Sequence, residues 1–165
     1  IIHEWRFSKK ALYFCANLNK KTPSMKALIL VDIQNDYFPN GKMELSNPEK
    51  AAANAAKVLE WFRQNNKDNI FHVQHIAADP AMGFFLPDTE GAEINEAVQP
   101  LENESIIIKH FPNSFLQTEL ESKLKEKEIT KVVVVGMMTH MNIKILIILI
   151  VIHSTTKLRD NLIVF

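Results

Sequence analysis

The sequence predicts an α/β domain built on a doubly wound, mostly parallel sheet. Two observations lead there. The apolar runs of strand length, Lys26 to Val31 and Lys131 to Val135, are continuous rather than alternating, the pattern of strands covered on both faces. Between such runs lie segments of helical period, so strands alternate with helices, and right-handed crossovers follow. At 165 residues the chain has a single-domain length, large enough to bury a real core.

Residues before Met25 show no clear period, so 1–24 are expected to be an N-terminal extension and 25–165 the domain. The first strand ends at Asp32. Asn47-Pro48-Glu49 is a helix start, with an N-cap residue, proline at the first helical position and an acid in the first turn. Ala51, Ala55, Val58, Leu59 and Phe62 give the helix from Pro48 to about Asn66 one buried stripe. Asn69 to Gln74 is the second strand. Residues 77–104, punctuated by prolines and glycines, read as a long functional loop. Ser105 to Lys109 is the third strand, ending in a charge. Thr118-Glu119-Leu120-Glu121 has the form of a capping box, opening a helix with Leu120 and Leu124 inward. Lys131 to Val135 is the fourth strand, broken by Gly136, and Ile145 to Ile152 reads as a buried strand. That last run has eight residues, far below the ~20 needed to span a bilayer.

Nineteen basic residues balance nineteen acidic ones, so net charge offers no attraction to nucleic acid or to an anionic membrane. Lys123, Lys125, Lys127 and Lys131 interleave with Glu119, Glu121, Glu126 and Glu128, which makes a solvated helix face. Cys15 is the only cysteine, so no intrachain disulfide is available and a reducing, cytoplasmic setting is expected. The stretch Ala11 to Ala16 is too short and too mixed for a signal core.

In doubly wound sheets the ligand site lies beyond the carboxyl ends of the strands. Asp32, Lys109 and the segment 136–142 all stand at such ends. Taken alone, Asp32 reads equally well as a capping or solvent-facing carboxylate, and Lys109 as a surface lysine. Their joint occurrence in three recognisable segments singles them out. LILVDIQNDYF, KHFPNSF and VVVVGMMTHM resemble the three signature segments of the isochorismatase-like cysteine hydrolases, the superfamily that includes nicotinamidases. The resemblance runs from Met25 to about Met141, and HVQHIAADPAMGFFLPDTEGAEI is similar to a loop of many members.

The resemblance implies a Rossmann-like sheet and a hydrolase of small amides or vinyl-ether-type substrates. It implies a cysteine thiolate as nucleophile, an aspartate as base and a lysine that favours the thiolate. Residue by residue, the base falls on Asp32 and the lysine on Lys109. The turn Gly136 to His140 matches the family's oxyanion hole, with the Met138 N–H as a donor, Met137–Met138 as the candidate cis bond, and His140 bracing the turn. Gln34, Tyr37 and Phe38, with Asp36, are candidate substrate contacts for which core packing is the competing reading. Phe84, Phe85 and Phe111 resemble pocket or lid aromatics, with loop anchoring as the alternative.

The nucleophile departs from the pattern. Where the family reads Thr-His-Met-Cys, this sequence reads Thr139-His140-Met141-Asn142, and an amide is not a nucleophile. An apolar segment, Ile143 to Ile152, then replaces the family's Ala- and Arg-rich helix, and VIHSTTKLRDNL is similar to the next strand and loop. A deletion or a divergent or frame-shifted tail fits both, and the sheet is expected to be incomplete at its C-terminal end. Cys15, in the extension, is not expected to reach the site. The positions equivalent to the nicotinamidase metal pair are His75 and Ala77, and His72 and His75 fall on opposite faces of a strand. No metal and no cofactor are therefore expected, and these histidines are read as loop or partly buried residues. The expected partners are a small-molecule ligand and further copies of the chain as a homo-oligomer. Two functions stand open: a hydrolase, or a non-catalytic relative that binds small molecules.

Overall fold

The computed structural model describes residues 26–137 and 162–164. Its strands are β1 (Lys26–Val31), β2 (Ile70–His75), β3 (Ser105–Lys109), β4 (Lys131–Gly136) and β5 (Leu162–Val164), and its helices α1 (Pro48–Asn65) and α2 (Leu120–Glu126). All pairings between these strands are parallel, in the order β3-β2-β1-β4-β5. The chain winds outward from β1 to β3 on one side and from β4 to β5 on the other. The order therefore reverses between β1 and β4, and the crevice at their carboxyl ends is where such a sheet binds ligands.

Strand side chains alternate between faces, and both faces are covered. On one face Leu28, Leu30, Ile70, Val133 and Val135 meet Ala52, Ala55, Leu59 and Phe62 of α1. On the other, Ala27, Ile29, Val31, Phe71, Val73, Ile107, Val132 and Val134 meet Leu120, Leu124 and Ile129. Burying each such aliphatic side chain stabilises by about 1.5–3 kcal/mol before entropy is counted, which explains the continuous apolar runs.

Several boundaries differ from the sequence reading. The buried stripe of α1 is Pro48, Ala52, Ala55, Leu59 and Phe62; Ala51 is exposed and Val58 half-buried, because the helix is rotated by one residue at its start. Asn47 does stand at the N-cap, but in the left-handed region (φ 55°), and its side chain makes no cap bond; its amide donates to Ser46 Oγ instead. The second strand starts and ends one residue later, because Asn69 closes a turn onto Asn66. β4 continues through Gly136, which pairs with Val31. A Cβ at Gly136 would collide with the Val31 carbonyl oxygen, so glycine lets the strand run on rather than breaking it. α2 begins at Leu120, and Thr118 Oγ1 accepts from the Leu120 N–H at 3.4 Å.

The segment 77–104 is a packed loop. It contains short 3-10 turns at Pro80–Met82, Glu90–Ala92 and Glu96–Val98, and buries Phe85, Ala92 and Val98. Among the described residues no helix is long and apolar enough to cross a membrane. The extension 1–24, Met138, His140, Asn142 and the run Ile145 to Ile152 lie outside the described residues.

Candidate active site

Asp32 follows the last residue of β1 and adopts φ 52°, an uncommon conformation for a residue with a Cβ. Its N–H donates to the Val73 carbonyl at 3.0 Å, so the sheet itself imposes the turn. Lys109 ends β3, on the far side of β2, and its side chain returns across the end of β2. Its Nζ lies 2.8 Å from Asp32 Oδ2, and both side chains are 0% exposed. The ammonium also donates to the Pro112 carbonyl at 3.3 Å. Burying an ion pair this completely is a poor route to stability, because the desolvation of both charges offsets their attraction.

Burial raises the Asp32 carboxyl, and the Lys109 cation and its hydrogen bond work against that rise, leaving it at about 6. A carboxyl poised there can both hold and release a proton near neutral pH.

His75 stands between them. It is the last residue of β2 and pairs in register with Lys109. The residue is 4% exposed, and its ring packs on Phe85 with centroids 5.6 Å apart. Burial and the nearby Lys109 cation push the imidazole down to about 4, so it is neutral at physiological pH. The expectation of loop or partly buried histidines is corrected: both are buried in β2, on opposite faces. His72 sits on the α1 side, with Nε2 2.9 Å from Glu104 Oε2. Among the described residues no cluster of three or more His, Cys, Asp or Glu is suited to a metal ion.

The other expected site residues fall into distinct settings. Gln34 is fully buried and its amide is engaged by backbone: Nε2 donates to the His75 and Ala92 carbonyls at 2.8 and 2.7 Å, and Oε1 accepts from the His75 N–H at 2.7 Å. It clamps the end of β2 to the long loop. Asp36 is a second clamp, accepting from the Lys42 N–H at 3.0 Å and the Phe85 N–H at 2.6 Å. A Cβ at Gly91 would strike that carboxylate, so the loop passes Asp36 only with glycine there. Tyr37 and Phe85 form an edge-on pair at 4.8 Å, with Phe84 stacked edge-on to Phe85 at 5.0 Å. Phe38 is buried with them in the α1-side core, Phe84 is half-buried against it, and Phe111 is 37% exposed. Met137 is buried and donates its N–H to the Val31 carbonyl at 3.1 Å. That bond holds Met137 against Val31, the residue before Asp32.

Sequence reasoning missed the cluster of Arg63, Glu104 and His72. Glu104 Oε1 accepts from Arg63 Nε at 2.7 Å, and Oε2 from Arg63 Nη2 and the Leu101 N–H, both at 2.9 Å. No spacing signal could have found it, because the partners come from α1, β2 and the loop before β3.

Residues 26–148 match the family model of the Isochorismatase domain. The chain belongs to the isochorismatase family. Over 115 residues it is 59% identical to the uncharacterized isochorismatase family protein YddQ of Bacillus subtilis, covering 70% of this chain and 63% of that protein. A crystal structure of an isochorismatase from Pseudomonas putida is 31% identical, with a TM-score of 0.68, covering 75% of this chain and 62% of that one. N-carbamoylsarcosine amidase from Thermoplasma acidophilum, at 23% identity and a TM-score of 0.72 over 84% of this chain and 80% of that one, shares the fold. The matched part of this isochorismatase-family chain spans less than two thirds of the length of YddQ.

Proposed function

We propose that the Asp32–Lys109 pair is the proton-transfer half of an isochorismatase-type site for a small amide or vinyl-ether-type molecule, and that this chain binds such molecules without thiol turnover. The observation that carries the reading is the fully buried 2.8 Å contact between Asp32 and Lys109 at the carboxyl ends of β1 and β3. A carboxylate held there takes a proton from a nucleophile, while the cation favours the anion that results. By the resemblance of its segment, Asn142 stands at or near the position of the family cysteine, and an amide cannot supply the attacking atom.

A second reading is favoured by the Asp32 carboxyl at about 6: a base of that strength can activate a water for direct attack. Assay of the chain and of Asn142→Cys, both carrying Cys15→Ser, against primary amides and vinyl ethers separates the two. The first reading expects turnover in Asn142→Cys alone, abolished by thiol alkylation. Turnover in the chain with Asn142 that survives alkylation and disappears in Asp32→Asn establishes the water route. We also propose that the chain self-associates, as its family resemblance implies; sedimentation equilibrium at micromolar concentration reads this directly, and a monomer rejects it.

A further inference from the structure

We propose that the outer edge of β3 is the surface through which two copies of this chain associate, their β3 strands pairing antiparallel about a twofold axis at Ile107. The inference rests on the reading of the chain as self-associating and names the contact. β3 closes one end of the sheet: it pairs with β2, and no other described strand lies along its outer edge. The Lys109 carbonyl accepts from the Ile76 N–H, so the alternation of a parallel ladder turns the backbone groups of Ser105, Ile107 and Lys109 toward β2. The N–H and C=O of Ile106 and Ile108 then point outward. Such an edge is a template for another strand, and native sheets blunt it with lysine, proline or a bulge. Here the strand reads Ser-Ile-Ile-Ile-Lys, and its one charge, on Lys109, is turned inward to Asp32.

The side chains agree with the backbone. Ile106 and Ile108 are 45% and 43% exposed. They stand on the α1 side of the sheet, in register with His72 and Gln74, but the apolar cluster beneath α1 contains no residue of β3. Of the six large apolar side chains exposed among the described residues, five fall within 101–116: Leu101, Ile106, Ile108, Phe111 and Leu116. At roughly 200 Å² for a large side chain, these leave roughly 400 Å² open, a size at which a patch marks an interaction site. That is about half of what a stable interface buries on each partner, and the paired backbone adds to it. A second copy fits because the strip complements itself. Antiparallel pairing centred on Ile107 sets Ile106 of each copy opposite Ile108 of the other, on one face. Both residues direct their backbone outward, so each such pair exchanges both of its N–H···O=C bonds. Opposed side chains on one face are what stabilises a strand pair, and a formal net charge of zero sets up no repulsion between copies.

Sedimentation equilibrium and residue-resolved amide hydrogen exchange, above and below the association midpoint, test this. The chain is compared with two double variants, Ile106→Lys with Ile108→Lys and Ile106→Lys with Ile108→Glu. In the associated chain the Ile106 and Ile108 amides are expected to exchange about 10-fold or more slowly than in the dilute one, while Ile107, bonded into the sheet, does not change. Lysine at both positions sets like charges opposite each other and weakens association about 10- to 100-fold. The lysine–glutamate variant sets opposite charges across the pair and recovers most of that loss, which removal of apolar surface alone would not do. If the two-lysine variant fails to fold, exchange in the unmodified chain decides. An associating chain whose Ile106 and Ile108 amides ignore concentration, or whose association survives both lysines, overturns the β3 contact and leaves self-association standing. A monomer at every concentration rejects both readings, and slow Ile106 and Ile108 amides in that monomer assign the edge to the chain's own residues, such as 1–24.

Discussion

Lys109→Met replaces the buried cation by an apolar chain of similar length and leaves the Asp32 carboxylate without the partner that stands 2.8 Å away. Breaking a buried pair on one side costs about 3–5 kcal/mol, because the remaining charge is still desolvated. The loss depends on pH, with a sign that follows from the Asp32 carboxyl at about 6, above the ordinary aspartate value of 3.8. A raised carboxyl means that the folded state binds the proton more tightly than the unfolded chain, so stability falls as pH rises through that window. Without Lys109 the carboxyl moves higher still, and the window extends above neutrality. The stability gap between the chain and Lys109→Met is therefore expected to shrink by about 2 kcal/mol between pH 7.5 and pH 5.5. Urea denaturation at the two pH values reads this, with unchanged m-values confirming the same two states. Asp32→Asn combined with Lys109→Met recovers most of the loss, since no charge is left stranded. An equal loss at both pH values, with no recovery in the double variant, would show that Lys109 acts through packing alone.

Other consequences follow from the same contacts. In Asp32→Asn the carboxyl's contribution is gone and the depressed His75 imidazole remains; stability then falls as pH drops from about 6.5 to about 4 more steeply than in the unmodified chain, and parallel slopes reject the assignment. At Glu104, burial raises the carboxyl but the hydrogen bonds from Arg63, the Leu101 N–H and His72 outweigh it and bring it down to about 2. Its stabilisation is present above about 4.5 and lost as pH falls toward 2. Glu104→Gln is expected to cost about 2–3 kcal/mol at neutral pH, less than a fully enclosed pair because Arg63 is partly solvated, and to flatten that acid limb; an unchanged acid limb would contradict it. Gly91→Ala pushes a methyl into the Asp36 carboxylate, costing about 1–3 kcal/mol. Hydrogen exchange at the Phe85 amide, which donates to that carboxylate, should accelerate, and an unchanged rate there removes Asp36 as the anchor of the loop.

The sheet was legible because its physics is local. Strands buried on both faces must be apolar along their buried length, and 27–31 and 132–135 show it directly. What slipped by one residue, Ala51 for Ala52 in α1 and Asn69 at the start of β2, depends on helix rotation and turn closure, which tertiary contacts decide. Asp32 and Lys109 could be singled out only through the segments around them, since a single carboxylate or lysine carries no signal of burial. His75 was weighed as a metal ligand and read as a loop or partly buried residue. Its position beside Lys109 is a consequence of the β2–β3 register, which no residue in either strand announces. Gln34 suggested a ligand contact, whereas its amide bonds to the backbone of His75 and Ala92, a long-range match invisible in one dimension. The Arg63–Glu104 pair joins residues 41 apart and was unreadable for the same reason.

On the proposed function, Asp32 and Lys109 form the polar half of a site whose remaining position is residue 142. The most direct test is the pH dependence of iodoacetamide alkylation of Asn142→Cys in a Cys15→Ser background, with and without Lys109→Met. If the three positions converge, the introduced thiol ionises well below the ordinary value of about 8.5, and Lys109→Met returns it toward that value. A thiol that titrates at its ordinary value, indifferent to Lys109, would contradict the claim.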